Sequence, residues 1–267
     1  MSWLTRMFSS TIGQKLIVAL TGLFLCTFLV VHMTGNLQLF KDDHGMSFNM
    51  YSVFMTTNPL IKTVSYILYF SILFHAFKGL HLAYKNMKAR PVGYAVVNGK
   101  ANSHWTSRYM GILGTIILVF IVVHMNDFWA EYKFGHIPYV QYTENLESGE
   151  ITAKPYADEA GNPKSIANKA EETIVSINGV DHKITITKDL YAEVAETFKN
   201  PLLVALYLIS MFAIGFHLYH GFQSGFQTLG LNHPRYNPAI QFLSTWVFAI
   251  IIPAGFAAMP LYFLLIK

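Results

Sequence analysis

The chain has 267 residues, of which 53% are apolar, 15% aromatic and only 13% charged, with a formal net charge of +4. A soluble globular domain carries about 25% charged residues, so disorder, collagen-like repeats and an ordinary soluble enzyme are excluded. The single cysteine, Cys26, excludes a disulfide framework and any Cys-ligated zinc or iron–sulfur centre within this chain.

Five segments are long and apolar enough to cross a bilayer, which takes roughly 20 helical residues. They run from about Leu16 to Leu39, Leu60 to Tyr84, Tyr109 to Trp129, Pro201 to Phe226 and Ala239 to Ile266. The first is too long, and lacks the small-residue cleavage site, for a removable signal peptide. The fifth carries Pro253 and Pro260, so kinks are expected there. Between Glu131 and Lys199 the composition turns polar, and this stretch holds twelve of the fifteen acidic residues. Within it, Thr173–Ile177 and Lys183–Thr187 alternate apolar and polar residues around Asn178-Gly179, the pattern of a β-hairpin. Asp189–Phe198 reads as a short amphipathic helix with Leu190, Tyr191, Val194 and Phe198 on one side. The expected fold is an all-α integral membrane protein. Residues 1–130 hold transmembrane helices one to three, 131–199 an extracytoplasmic insertion (a hairpin plus a short helix), and 200–267 helices four and five.

Orientation follows from the basic residues near the ends of the helices. Arg6 and Lys15 precede helix one, Lys85, Lys88, Arg90, Lys100 and Arg108 connect helices two and three, and Arg235 connects helices four and five. No acidic residue accompanies these eight, so this side is expected to be cytoplasmic, with the insertion outside.

An internal repeat places four of the eleven histidines. Helix one contains Phe28-Leu-Val-Val-His32-Met33 and helix three contains Phe120-Ile-Val-Val-His124-Met125, each with a glycine ten residues before the histidine, Gly22 and Gly114. Helix two contains Phe74-His75 followed by Gly79, and helix four contains Phe216-His217 followed by Gly221. At 1.5 Å per residue, His32 and His124 lie about 22–24 Å outward from the inner helix ends, and His75 and His217 about as far inward from the outer ends. In a hydrocarbon core of roughly 30 Å this makes two levels roughly 15 Å apart.

One intramembrane histidine is readily explained by a hydrogen bond to a neighbouring helix. Four, paired in level by a repeat, match what two six-coordinate haems need: two imidazoles facing each other across a bundle. Four of the five helices are therefore expected to form a haem-binding bundle, with His32, His75, His124 and His217 as iron ligands. Gly79 and Gly221 lie one turn after their ligands and leave room for a flat macrocycle. Zinc is disfavoured, because a buried site wants four ligands at one level. His81 and His220 compete for the ligand role. His81 is about 240° round the helix from His75, and His220 corresponds to Lys78 in the repeat, which favours His217 and leaves His220 in reach of a propionate.

These motifs resemble one family. Thr21-Gly22 leading to His32, His75 with Gly79, Gly114 leading to His124, His217 with Gly221, and the segment Gly221–Gly230 look like the dihaem cytochrome b membrane anchor of succinate:quinone oxidoreductases. That family includes succinate dehydrogenases and quinol:fumarate reductases; the likeness is to the single large anchor subunit with five helices and two haems b. The resemblance implies a multi-pass subunit of a bacterial cytoplasmic (inner) membrane enzyme whose succinate/fumarate site lies on another subunit. It implies an inner haem on His75 and His217, next to an iron–sulfur subunit docked on the cytoplasmic face, and an outer haem on His32 and His124. A flavoprotein with covalent FAD is the further partner; no nucleic acid is expected.

Menaquinone or a similar quinone is expected near the outer haem, where proton-handling groups are needed. The candidates are Asn36, Gln38, Asn126 and Asp127 at the outer helix ends, and Asp42, Asp43 and His44 in the next loop, with Asp43 or His44 first. Two departures stand out: the insertion is longer than in simpler relatives, and Gly215 stands where some relatives carry a glutamate. Two other readings compete. One is the dihaem cytochrome b anchor of another quinone-linked enzyme, of the hydrogenase or formate dehydrogenase type; the other is a haem-free membrane transporter.

Overall fold

A computed structural model describes residues 2–89, 91–92, 95–96 and 98–266. Arg90 lies outside the described residues, as does the side chain of Lys100. The chain is mostly helical, with twelve α-helices and four strands among the described residues. In chain order these are α1 (Trp3–Ser9), α2 (Thr11–Asn36), α3 (Met46–Thr57), α4 (Pro59–Lys88), α5 (Gly99–Asn102), α6 (Trp105–Arg108), α7 (Met110–His124) and α8 (Glu131–Phe134). Then come β1 (Tyr139–Asn145), β2 (Ile151–Pro155), β3 (Ala170–Ile177), β4 (Val180–Lys188), α9 (Leu190–Thr197), α10 (Pro201–Thr228), α11 (Asn237–Phe242) and α12 (Ile252–Leu265). A π-helical stretch, Met125–Ala130, joins α7 to α8, and another, Leu243–Ile251, joins α11 to α12.

Five helices among the described residues are long and apolar enough to cross a membrane: Thr11–Phe40, Pro59–Lys88, Met110–Phe134, Pro201–Thr228 and Asn237–Leu265. They are numbered here as spans one to five. Spans two and four start alike. Asn58 Oδ1 accepts from the N–H groups of Leu60 and Ile61, with Pro59 in the first turn. Asn200 Oδ1 does the same for Leu202 and Leu203, with Pro201 following. An asparagine cap before a proline satisfies donors that a helix start leaves open.

Two compact units make up the chain. The first, Met1–Met33, Tyr66–Val122 and Val204–Pro260, contains most of the apolar helix length. Within it spans one to four form a ring. Gly22 abuts His75 (one to two), Gly111 abuts Ala83 (three to two), Phe120 packs edge-on against Tyr207 (three to four), and Gly225 abuts Leu23 (four to one). Span five packs outside the ring, where Gly215 meets the Ala249 backbone and Phe222 stacks on Phe248. Pro253 has no N–H to give the Ala249 carbonyl an α-helical partner, and a Cβ on Gly215 would stand 2.8 Å from that same oxygen. A glutamate at position 215 has no room in this packing.

The second unit, Thr34–Ser65, Val123–Leu203 and Leu261–Lys267, is built on a four-stranded antiparallel sheet in the order β2-β1-β4-β3. The sequence reading expected one hairpin here, and the sheet is a larger structure than that. The strands β3 and β4 turn at Asn178 and Gly179, both at positive φ (54° and 83°), as a two-residue turn matching the strand twist requires. Strand β1 inserts its buried Val140 and Tyr142 beside Thr185 and Thr187 of β4. One buried side chain, Asn49 of α3, ties the unit together. Its Nδ2 donates to Tyr142 Oη (2.8 Å) and Asp189 Oδ1 (3.0 Å), and its Oδ1 accepts from the Tyr191 N–H (2.9 Å).

Candidate functional site

His75 of span two and His217 of span four face each other across the ring, with ring centroids 6.3 Å apart and planes at 72°. Two imidazoles bonding one metal between them set their centres about 6 Å apart, from bonds of roughly 2 Å and roughly 1 Å from nitrogen to ring centre. A small residue stands against each ring: a Cβ on Gly22 would be 3.0 Å from His75 Cε1, and one on Gly114 would be 3.7 Å from His217 Cε1. Nothing lies within 4 Å of a Cβ on Gly79, and Gly221 meets only Met110 and His217 at 3.8 and 4.0 Å. Opposed rings, small neighbours and open space beside Gly79 fit a bis-histidine haem.

The two rings are held differently. Thr21 Oγ1 lies 2.8 Å from the Ile17 carbonyl, 3.1 Å from the Val18 carbonyl and 3.1 Å from His75 Nδ1. The hydroxyl has one proton, which goes to a carbonyl, so it accepts from the Nδ1–H of His75. That fixes the tautomer and leaves Nε2 with its lone pair facing out as a ligand. His217 Nδ1 is buried with no hydrogen-bond partner among the described residues. In the repeat Thr21 corresponds to Leu113, which has no hydroxyl to offer.

His81 is exposed and stacks on Phe77, turned away from the pair. His220 is half-buried and within electrostatic reach of His104, whose ring contacts Tyr219. His32 stacks on Phe28 at 5.1 Å and meets Phe256 of span five at 5.4 Å, within the first unit. His124 belongs to the second unit, where it meets Phe128 edge-on at 5.3 Å.

The polar residues at the other end of the helices divide into two groups. Asn126 and Asp127, in the π-helical stretch after His124, line a cavity of about 380 Å³ together with Glu131, Glu193, Glu196 and Asn200. Burial, then the charges of Glu131, Glu196 and Asp127, raise the Glu193 carboxyl above the ordinary glutamate value. Asp43 and His44 serve α3 instead. The Asp43 carboxylate accepts from the N–H groups of Gly45 (3.1 Å) and Ser47 (2.9 Å), and His44, at φ 55°, gives its carbonyl to Tyr142. Asp42 is exposed, Asn36 closes α2, and Gln38 has a buried Oε1 with no partner among the described residues.

The sequence reading did not single out Thr21 as a partner of His75, nor Glu131, Glu193 and Glu196. Thr21 was detectable as a hydroxyl one residue before the repeated glycine. No family model, curated protein or solved structure matches the chain.

Proposed function

We propose that this chain is the dihaem cytochrome b membrane anchor of a succinate:quinone oxidoreductase, carrying electrons between a menaquinone-type quinone and iron–sulfur and flavoprotein subunits. The observation that carries the reading is the His75–His217 pair, 6.3 Å between ring centres, with Gly22 and Gly114 against the rings. Haem, when bound, supplies one-electron transfer. His75 and His217 hold the inner group through Nε2, with Thr21 presetting the His75 tautomer. His32 and His124 hold the outer group, a role resting on the sequence repeat and their shared depth.

At the quinone end Asp127, Glu131, Glu193 and Glu196 offer carboxylates that take or give the protons of quinone chemistry. Glu193, whose carboxyl burial and its neighbours raise above the ordinary glutamate value, is the proton-handling residue of the group. The N-terminus is cytoplasmic by the distribution of Lys and Arg, so this cavity opens on the outer side.

The experiment is a reduced-minus-oxidised visible spectrum with a pyridine haem assay on the purified chain. Two low-spin b haems are expected, one of them lost in His217→Ala and both kept in His220→Ala. One haem, none, or a high-spin spectrum overturns the reading. A reporter fused between Glu144 and Ala160 is expected to behave as exported; cytoplasmic activity reverses the orientation. Co-purification of flavin and iron–sulfur subunits identifies the enzyme, and a hydrogenase or formate dehydrogenase partner would replace it.

A further inference from the structure

Four lysines from four separate segments gather in the second unit where span two begins and span three ends. Lys169 Nζ donates to the Thr56 carbonyl (3.1 Å) and lies 5.8 Å from the centre of the Tyr132 ring. Lys188 Nζ donates to the Tyr132 carbonyl (2.9 Å) and lies 5.2 Å from the same ring. An ammonium has three donors, and each of these spends one on a backbone oxygen that also fixes its position. Lys62, in the first turn of span two, and Lys133, in the last turn of span three, complete the group and are exposed.

The cluster has no counter-charge of its own among the described residues. The two ion pairs found there, Lys183 with Glu172 and Lys199 with Glu196, involve none of these lysines. Of the acids nearest in sequence, Glu131 and Asp189 accept from the backbone N–H groups of His136 and Ala192, and Glu171 makes no ion pair with these lysines. Burial, then the like charges of Lys133, Lys62 and Lys188, push the Lys169 ammonium below the usual lysine value. Concentrated like charge with spare donors is a site for an anion.

The surroundings specify which anion. Leu60 and Phe134, two residues from Lys62 and one from Lys133, are 74% and 77% exposed. Trp129 packs edge-on against Phe134. Trp129, one turn deeper in span three than Lys133, and exposed apolar side chains beside the ammonium groups match the headgroup level of a bilayer. A small soluble anion has no use for these apolar neighbours. We propose that Lys62, Lys133, Lys169 and Lys188, gathered about Tyr132, bind the headgroup phosphate of an anionic phospholipid whose acyl chains run down past Trp129. The site is independent of the redox reading and stands or falls without it.

The test uses the full chain in detergent. Native mass spectrometry measures retained lipid, and thermal unfolding is followed with phosphatidylglycerol, phosphatidylcholine or inorganic phosphate added. Phosphatidylglycerol is expected to be retained and to raise the midpoint, and the other two are not. In Lys62→Gln/Lys133→Gln the affinity for phosphatidylglycerol falls about fivefold per lysine, about 25-fold together, and added salt weakens the wild type in the same sense. Both residues are exposed, so the variant folds, and Lys169→Gln gives a second reading from the buried side. Equal retention of the two lipids, unchanged affinity in the double variant, or equal protection by inorganic phosphate overturns the proposal.

Discussion

Gly22 lies directly against the imidazole of His75: a Cβ built on it would stand 3.0 Å from Cε1. The equivalent distance from Gly114 to His217 is 3.7 Å, an ordinary contact. The repeat is therefore a packing unit as well as a sequence pattern, in which the glycine of one helix makes room for the ring on the next. Alanine favours a helix by about 1 kcal/mol over glycine, so neither Gly22→Ala nor Gly114→Ala is expected to unfold the chain. Gly22→Ala displaces the His75 ring and shifts the midpoint potential of one haem. Gly114→Ala leaves both potentials near wild type. A redox titration of the two variants decides it, and identical behaviour counts against the geometry.

Thr21→Val removes the hydroxyl acceptor of the His75 Nδ1–H and leaves it the Val18 carbonyl alone. An imidazole that loses its outer hydrogen bond is a weaker donor to iron, so the potential of one haem is expected to rise. Leu113→Thr, which offers His217 Nδ1 a partner, is expected to lower it. Spectroelectrochemistry on the two variants reads both signs; a shift in the same direction for both contradicts the tautomer assignment.

Span five is held against span four by the absence of a side chain. With 2.8 Å between a Gly215 Cβ and the Ala249 carbonyl, Gly215→Ala has to push two backbones apart, and overpacking of this kind costs about 1–3 kcal/mol. Gly255→Ala meets only Met33, a flexible neighbour, at 3.2 Å. The expected order of thermal midpoints in detergent is wild type, Gly255→Ala, Gly215→Ala. The reverse order would mean that the span four–five contact is not where the stability lies.

The carboxylate cavity predicts a pH dependence. Burial and three neighbouring carboxylates raise Glu193 above its ordinary value. A raised carboxyl favours the folded state when protonated; its contribution is complete below an unfolded-state pKa of about 4.3 and is lost as pH rises through the folded value. Glu193→Gln mimics the protonated form at every pH. It is expected to raise the unfolding midpoint at pH 7 and to leave it unchanged near pH 4. An equal shift at both pH values would assign the effect to packing.

What the sequence discloses depends on how local each signal is. The five spans follow from apolar runs of 20 or more residues, and the turn of β3 and β4 follows from Asn178-Gly179, since few residues accept positive φ twice in succession. Strand β2 leaves no such trace. It is almost wholly exposed, and ladder bonds to β1 place it where burial does not. Helix α3 starts at Gly45 without a side chain of its own as cap, and Asp43 supplies the bond from outside the helix. The cavity was half visible. Asp127 with Glu131, and Glu193 with Glu196, are each spaced for one helix face, but their meeting joins segments about 60 residues apart. Asn58-Pro59 and Asn200-Pro201 stand at the same distance before His75 and His217, an extension of the repeat readable from sequence alone.

Asn49 gives the polar insertion a consequence for anyone who shortens the chain. Three bonds from this one amide reach β1, the Asp189 side chain and the Tyr191 backbone. The segment between Tyr139 and Lys199 resembles a removable decoration when read by composition, yet cutting it away strips the hydrogen-bond partners that the buried Asn49 side chain has among the described residues. A trimmed variant would expose a hydrogen-bonding amide in an apolar setting and loosen the loop between spans one and two. Grafting or swapping is better confined to the Asn178-Gly179 turn, where a Cβ on Gly179 would meet nothing within 4 Å.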